Sequence, residues 1–143
     1  MTEIAFHFNV PERTDYVCRL VRKAVRLGAS VVITGPEGVL SALDRALWVF
    51  DDLAFLPHAM LRPGQPVPER LRPTPVWLAA DAAQPGHTDV LVNLGDAPPA
   101  GFESFAKVVE VVSNEQADRD AARLRWRHYA GRGYAITRHE VAS

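Results

Sequence analysis

Few groups in this sequence are arranged so that they could do covalent chemistry. Val31 to Gly38 reads as strand, glycine turn and helix, the setting of a phosphate-binding loop. Such a loop needs a Lys-Ser/Thr pair after its last glycine, because the lysine neutralises the β- and γ-phosphates and the hydroxyl holds Mg²⁺. Here Gly38 is followed by Val39-Leu40, and no G-x-G-x-x-G pattern is present. Gly35-Pro36-Glu37-Gly38 is therefore read as a tight strand-to-helix turn. The histidines His7, His58, His87, His128 and His139 are scattered, with no H-x-x-x-H or C-x-x-C spacing of the kind that holds zinc. Cys18, the single cysteine, falls on a predicted helix and reads as a small core residue rather than a nucleophile. No G-x-S-x-G elbow occurs. Asp51-Asp52 imitates a carboxylate pair, but adjacent residues at a helix end point in different directions, so a solvated helix terminus is the better description. The expectation is a protein that is not an enzyme, with no catalytic residue, no metal and no cofactor of its own.

Chemistry suited to binding is more evident. At 100° per residue, Val39, Leu43, Ala46, Leu47 and Phe50 share one stripe of a second helix, and Trp48 falls opposite it, beside Asp44 and Arg45. Leu53-Ala54-Phe55-Leu56-Pro57-His58 continues an apolar surface in an irregular segment. Either that segment folds over Trp48, or the indole is exposed for a partner, a use for which tryptophan is enriched. In a last helix, Ala117, Ala121, Leu124 and His128 line one stripe, expected to face the sheet, while Arg119, Arg123, Trp126 and Ala130 line the opposite one. Two guanidinium groups beside an indole suit a chain carrying carboxylates and an aromatic ring, because arginine grips a carboxylate with two hydrogen bonds. Arg125, Arg127 and Arg132 add positive potential nearby. An ordinary solvated basic helix fits the same residues, and the spacing leaves both readings open.

The elements that must position these groups alternate strand and helix. Ile4–Phe8 alternates as a strand, and Thr14 is placed to cap a helix carrying Val17, Leu20, Val21, Ala24, Val25 and Leu27, with Gly28 just past its end. Val31–Thr34 is a buried strand, and the second helix runs over 39–49. Five prolines and a glycine between Arg62 and Pro75 make a loop. Val76–Ala79, Val90–Leu94 and Val108–Val112 are further strands, with a loop over Gly95–Gly101. The last helix runs over 115–130, and Tyr134–Thr137 is read as an edge strand. This order predicts an α/β fold, a largely parallel sheet flanked by helices in three layers, with residues 1–143 as a single domain.

Composition bounds the function. The 143 residues are 48% apolar and 23% charged, enough to bury a core. Sixteen Lys+Arg against 17 Asp+Glu argue against broad charge-driven binding of nucleic acid. One cysteine allows no internal disulfide, which suits a reducing cytoplasm. No basic-then-apolar leader opens the chain and no apolar run approaches the ~18 residues that span a membrane, so a soluble cytoplasmic protein is expected.

Leu43-Asp44-Arg45-Ala46-Leu47-Trp48, followed by Phe55-Leu56-Pro57-His58, resembles the L-D-x-A-L-W…F-x-P-H signature of the chi subunit of bacterial DNA polymerase III. Asp89–Leu94 resembles that family's D-x-L-x-x-L strand. Arg123, Arg125, Trp126, Tyr129, Gly133 and Tyr134 resemble its closing R-x-R-[aromatic]-x-x-Y-x-x-x-G-[aromatic] pattern. The resemblance covers nearly the whole chain. It implies a nucleotide-binding type of α/β fold without the phosphate chemistry, and a non-catalytic adaptor in DNA replication. One face would bind the psi subunit of the clamp-loader complex through Trp48, Phe55, Leu56 and Pro57. The other would receive the acidic, phenylalanine-ending C-terminal tail of single-stranded DNA-binding protein (SSB) at Arg119, Arg123, Trp126 and Val112. Position 119 is arginine where the family has lysine, and position 126 is tryptophan where tyrosine is usual. The first change keeps the charge; the second keeps an aromatic ring but loses a hydroxyl.

Two other readings belong to different classes. An α/β nucleotide-binding enzyme would use the Gly35–Gly38 turn, against which the missing lysine and metal carboxylates count. A direct single-stranded DNA binder would need a basic groove studded with aromatics, and high-affinity nucleic-acid binding is not expected.

Overall fold

The computed structural model describes residues 1–50 and 56–141. Seven strands form one sheet: β1 (Glu3–Val10), β2 (Val31–Thr34), β3 (His58–Leu61), β4 (Val76–Ala79), β5 (Val90–Asn93), β6 (Lys107–Ser113) and β7 (Ile136–Glu140), in the order β3-β4-β2-β5-β6-β1-β7. Every pairing is parallel. The helices are α1 (Arg13–Arg26), α2 (Glu37–Val49) and α3 (Gln116–Gly131). The three-layer α/β architecture is the one expected from the alternation of elements.

Period-two alternation sends each strand's side chains to two cores. Val31, Ile33, Val76, Leu78, Val92, Val109 and Val111 pack against Val17, Cys18 and Val21 of α1 and Leu40, Leu43 and Leu47 of α2. Ile4, Phe6, Val32, Trp77, Leu91, Val108 and Val112 pack on the other face with Phe102, Phe105, Ala122 and Tyr129. Because the central strands are covered on both sides, Val31–Thr34 and Val76–Ala79 are buried at every position. At the end of β1 the register to β6 slips between His7 and Val10, and Asn9 takes a left-handed conformation (φ 61°), which asparagine tolerates. The slip turns Val10 to the α1 side, although Ile4, Phe6 and Phe8 point to the α3 side.

Several expectations shift in detail. The α1 cap is the Glu12 carboxylate, accepting from the Thr14 amide at 3.2 Å, rather than Thr14 itself. α2 starts at Glu37 instead of 39, with Pro36 as its N-cap residue. β3 was not anticipated. It is an edge strand, and His58-Ala59-Met60-Leu61 lacks the β-branched run that marks the central strands. β7 is an edge strand as expected, but runs over 136–140 rather than 134–137. Asp51-Asp52 lies outside the described residues.

Candidate functional site

α3 is fastened at its start and along its buried side before it presents anything. At its start, Asp118 accepts the Ser113 amide at 2.7 Å and pairs with Arg13 of α1 at 3.3 Å. In its middle, Arg125 is sealed in the protein, 1% exposed, with its Nε donating to Glu110 of β6 at 2.8 Å; Glu110 itself is 0% exposed. Tyr129 donates its hydroxyl to Glu110 at 2.6 Å, and Asn93 of β5 donates its amide to both carboxylate oxygens at 3.1 and 3.0 Å. A second guanidinium nitrogen of Arg125 reaches the Asp96 carbonyl. Burial pushes the Glu110 carboxyl above its usual range, and the Arg125 guanidinium with the hydrogen bonds from Asn93, Tyr129 and Arg125 opposes that push. Burial and then the Glu110 charge hold the Tyr129 phenol far above its ordinary value, so it stays a proton donor.

This network corrects the expected phase of the helix. The buried residues are Ala122, Arg125 and Tyr129, whereas Leu124, expected on the sheet side, is 65% exposed. The helix is turned by about one position, ~100°, from the arrangement its apolar residues suggest. The cause is Glu110: a carboxylate in mid-strand on a covered face requires a counter-ion, and Arg125 answers it. Arg125 is therefore an internal group and not a source of surface potential.

The rotation moves Arg119, Arg123 and Trp126 from the outer side of α3 to its flank, where helix meets sheet. A groove of about 510 Å³ opens there. Its floor is Phe6 and Phe8 of β1, Val112 of β6 and Ala122 of α3; Arg119, Arg123, Trp126 and Arg127 line it from the helix and Arg138 from β7. The Trp126 ring is half-buried against Phe6, with centroids 5.1 Å apart. Arg119, Arg123, Trp126 and Val112, singled out in the sequence, are thus brought together. Phe6, Phe8 and Arg138 were missed. The two phenylalanines carried a signal in the alternation of the first strand, and Arg138 lay one residue beyond the strand as it was read.

The second aromatic group lies elsewhere. Trp48, on the outer side of α2, is 58% exposed, and Val49 beside it is also exposed. The indole meets the His58 ring edge-on with centroids 4.6 Å apart, while His58 Nδ1 donates to the Leu56 carbonyl at 2.8 Å and its Nε2 lies 3.3 Å from Asp44. Pro57 is exposed; Leu56 is half-buried and packs on the α1–α2 core. Phe55 lies outside the described residues.

The glycine turn sits at the carboxyl ends of β2, β4 and β5, where α/β sheets of this kind hold ligands. A crevice is present, lined in part by Thr34, Gly35, Asp81, Asn93 and Gly95, but no cation lines it among the described residues. Gly35 is pressed against the Leu94–Gly95 backbone, where an added Cβ would lie 3.1 Å from Leu94 Cβ. Cys18 is buried, and burial followed by the Asp15 charge pushes its thiol up to about 11, which leaves it protonated and inert. Among the described residues no cluster of three His, Cys, Asp or Glu could hold a metal, and no helix is long and apolar enough to cross a membrane.

Comparison with known proteins adds three findings. A solved structure of the C-terminal domain of S. cerevisiae Dbp5, bound to Gle1 and IP6, superposes with a TM-score of 0.58 over 98% of this chain and 90% of that one. At 12% identity that likeness concerns the fold alone. The Pseudomonas aeruginosa DNA polymerase III subunit chi is 35% identical, over 99% of this chain and 98% of its own length. The Haemophilus influenzae DNA polymerase III subunit chi is 26% identical over 89% of this chain and 86% of its own. Residues 1–137 match the family described as DNA polymerase III chi subunit, HolC, so the chain belongs to the DNA polymerase III chi subunit family.

Proposed function

We propose that this protein is a non-catalytic adaptor of the replication machinery, with residues 1–143 acting as one domain that carries two docking faces. The groove beneath α3 receives the acidic, phenylalanine-ending C-terminal tail of SSB. The Trp48 face, with Phe55, Pro57 and the half-buried Leu56, binds the psi subunit and so ties the clamp loader to SSB-coated DNA in the cytoplasm. The observation that carries this reading is the meeting of Arg119, Arg123, Trp126 and Val112 in one groove. Guanidinium groups supply donors for acidic side chains and the terminal carboxylate, and the indole and phenylalanine floor supplies apolar surface for the last residue. With a net charge of −1, long-range attraction must come from this local cluster and should weaken with salt.

The test is fluorescence anisotropy of a labelled SSB tail peptide. Arg123 lies mid-groove and is exposed, so Arg123→Ala should leave folding intact while removing charge-assisted bonds worth roughly 1.5–3 kcal/mol, about a tenfold to hundredfold loss of affinity. Deleting the peptide's terminal phenylalanine should cost wild type comparably. Arg62→Ala, far along the chain in the proline-rich loop, should bind as wild type. Equal affinity for all three proteins would place the tail elsewhere.

A further inference from the structure

Arg119, Arg123 and Arg127 recur every four residues along the groove side of α3, and Arg138 faces the same groove from the edge strand β7. β7 is in register with β1 so that Ile136 pairs with Ile4 and Arg138 with Phe6. Ile136 packs into the α3-side core, and alternation places Arg138 and Glu140 on that same face. The Arg138 guanidinium lies over the Phe8 ring, 5.1 Å from its centre, and that ring is part of the groove floor. The cation is thereby held at the groove instead of sweeping through solvent. Among the described residues only Arg123 of these four has a carboxylate beside it, Asp120 at 3.5 Å with both groups exposed. Glu140, the next residue of β7 on this face, reverses the sign and ends the basic stretch.

Positive charge thus flanks an apolar floor from two separate elements, a helix and a strand. A ligand that touched only α3 would leave Arg138 without an anion. We infer that Arg138 is a specificity-determining contact for an acidic peptide: it takes a side-chain carboxylate upstream of the peptide's end, while Arg123 and Trp126 engage the terminal carboxylate and aromatic ring. The groove then reads acidic character along the peptide as well as its terminus. This inference rests on the tail-binding reading of the groove given above.

The experiment uses the full chain and two labelled peptides ending in phenylalanine, one rich in aspartate and the other with each aspartate changed to asparagine. Arg138→Ala should weaken the acidic peptide by about three- to tenfold at low salt, and Arg138→Lys should recover most of that loss. Against the asparagine peptide, Arg138→Ala and wild type should bind alike, because the partner charge is gone. Arg138 is exposed, so thermal melts of all three proteins should coincide. No effect on the acidic peptide, or an equal loss on both peptides, would overturn the inference. The failures are separable: if wild type binds neither peptide, the tail reading itself falls, whereas sensitivity to Arg123→Ala without sensitivity to Arg138→Ala removes the role of Arg138 alone.

Discussion

The two faces of the sheet handle polarity in opposite ways. On the α1–α2 side the core is aliphatic, from Val17 and Leu43 to Ile33 and Val111. The polar pair on that side, His7 and Tyr16, hydrogen-bonds at its margin, with the imidazole held neutral. On the α3 side a carboxylate, a guanidinium, a phenol and an amide are sealed among aromatic rings. The difference teaches what sets the rotation of a helix. α2 turns its apolar stripe inward and leaves Trp48 out; α3 obeys Glu110, even though this leaves Leu124 in solvent. The groove follows from that rotation, which brings Trp126 to the flank of the helix beside Phe6.

The contrast can be broken most forcefully at Arg125. Arg125→Ala strands the Glu110 carboxylate and should cost about 3–5 kcal/mol in urea unfolding, against under ~0.5 kcal/mol for Arg123→Ala two residues away. Combining Arg125→Met with Glu110→Leu should restore part of that loss, because a buried ion pair gains little over apolar groups of similar size, while Tyr129 and Asn93 lose their acceptor. Equal stability of Arg125→Ala and Arg123→Ala would dissolve the distinction between the two sides of α3.

The tryptophans give an intermediate test. Trp126→Ala removes a half-buried ring from Phe6 and should cost about 2 kcal/mol together with tail binding. Trp48→Ala, at a largely exposed position, should cost about 1 kcal/mol and abolish psi association while tail binding persists. A Trp48→Ala melt lowered by the ~3–5 kcal/mol of a core truncation would show that the indole is structural.

The smallest effect belongs to His7. Burial first, then His139 and Lys107, lower its folded pKa to about 4 from an ordinary 6.5. Below 6.5 the unfolded chain takes a proton that the folded chain refuses, so stability is full above that pH and falls as pH drops toward 4. Allowing for solvent screening of a half-exposed ring, the loss is on the order of 1 kcal/mol. His7→Gln should flatten that part of the pH–stability curve; an unchanged slope would assign the acid sensitivity to other groups.

Most of the fold was legible because its central strands announce themselves. Val31-Val32-Ile33-Thr34 is a β-branched run and Val90-Leu91-Val92 a short apolar one between turns, and a sheet buried on both faces leaves such runs no other place. The phase of α2 was legible because the stripe of Val39, Leu43, Ala46, Leu47 and Phe50 is the side that packs inward, joined by Leu40, while Trp48 and Val49 stay outside. α3 misled because the residue that faces the core is charged, and apolar periodicity cannot see a buried arginine. The signal lay in Glu110, a carboxylate within Val108–Val112 whose partner had to come from a neighbouring element. The edge strand β3 escaped because a half-covered strand needs less apolar character, and Arg138 escaped with the true end of β7.

β1 sits between β6 and β7, with Glu3 opposite Lys107 and Ile4 opposite Ile136. β1 therefore has both of its neighbours far downstream in the sequence. On the ribosome, Ile4 and Phe6 must wait exposed until β6 has emerged, and the groove floor they help build cannot form before then. Loop closure over such a span is slow relative to local helix formation, and an apolar strand left waiting is a site for wrong pairing. A nascent chain stopped before Lys107 would hold β2, β4 and β5 with no slot for its own first strand. The groove is thus completed only once β6, α3 and β7 have joined β1.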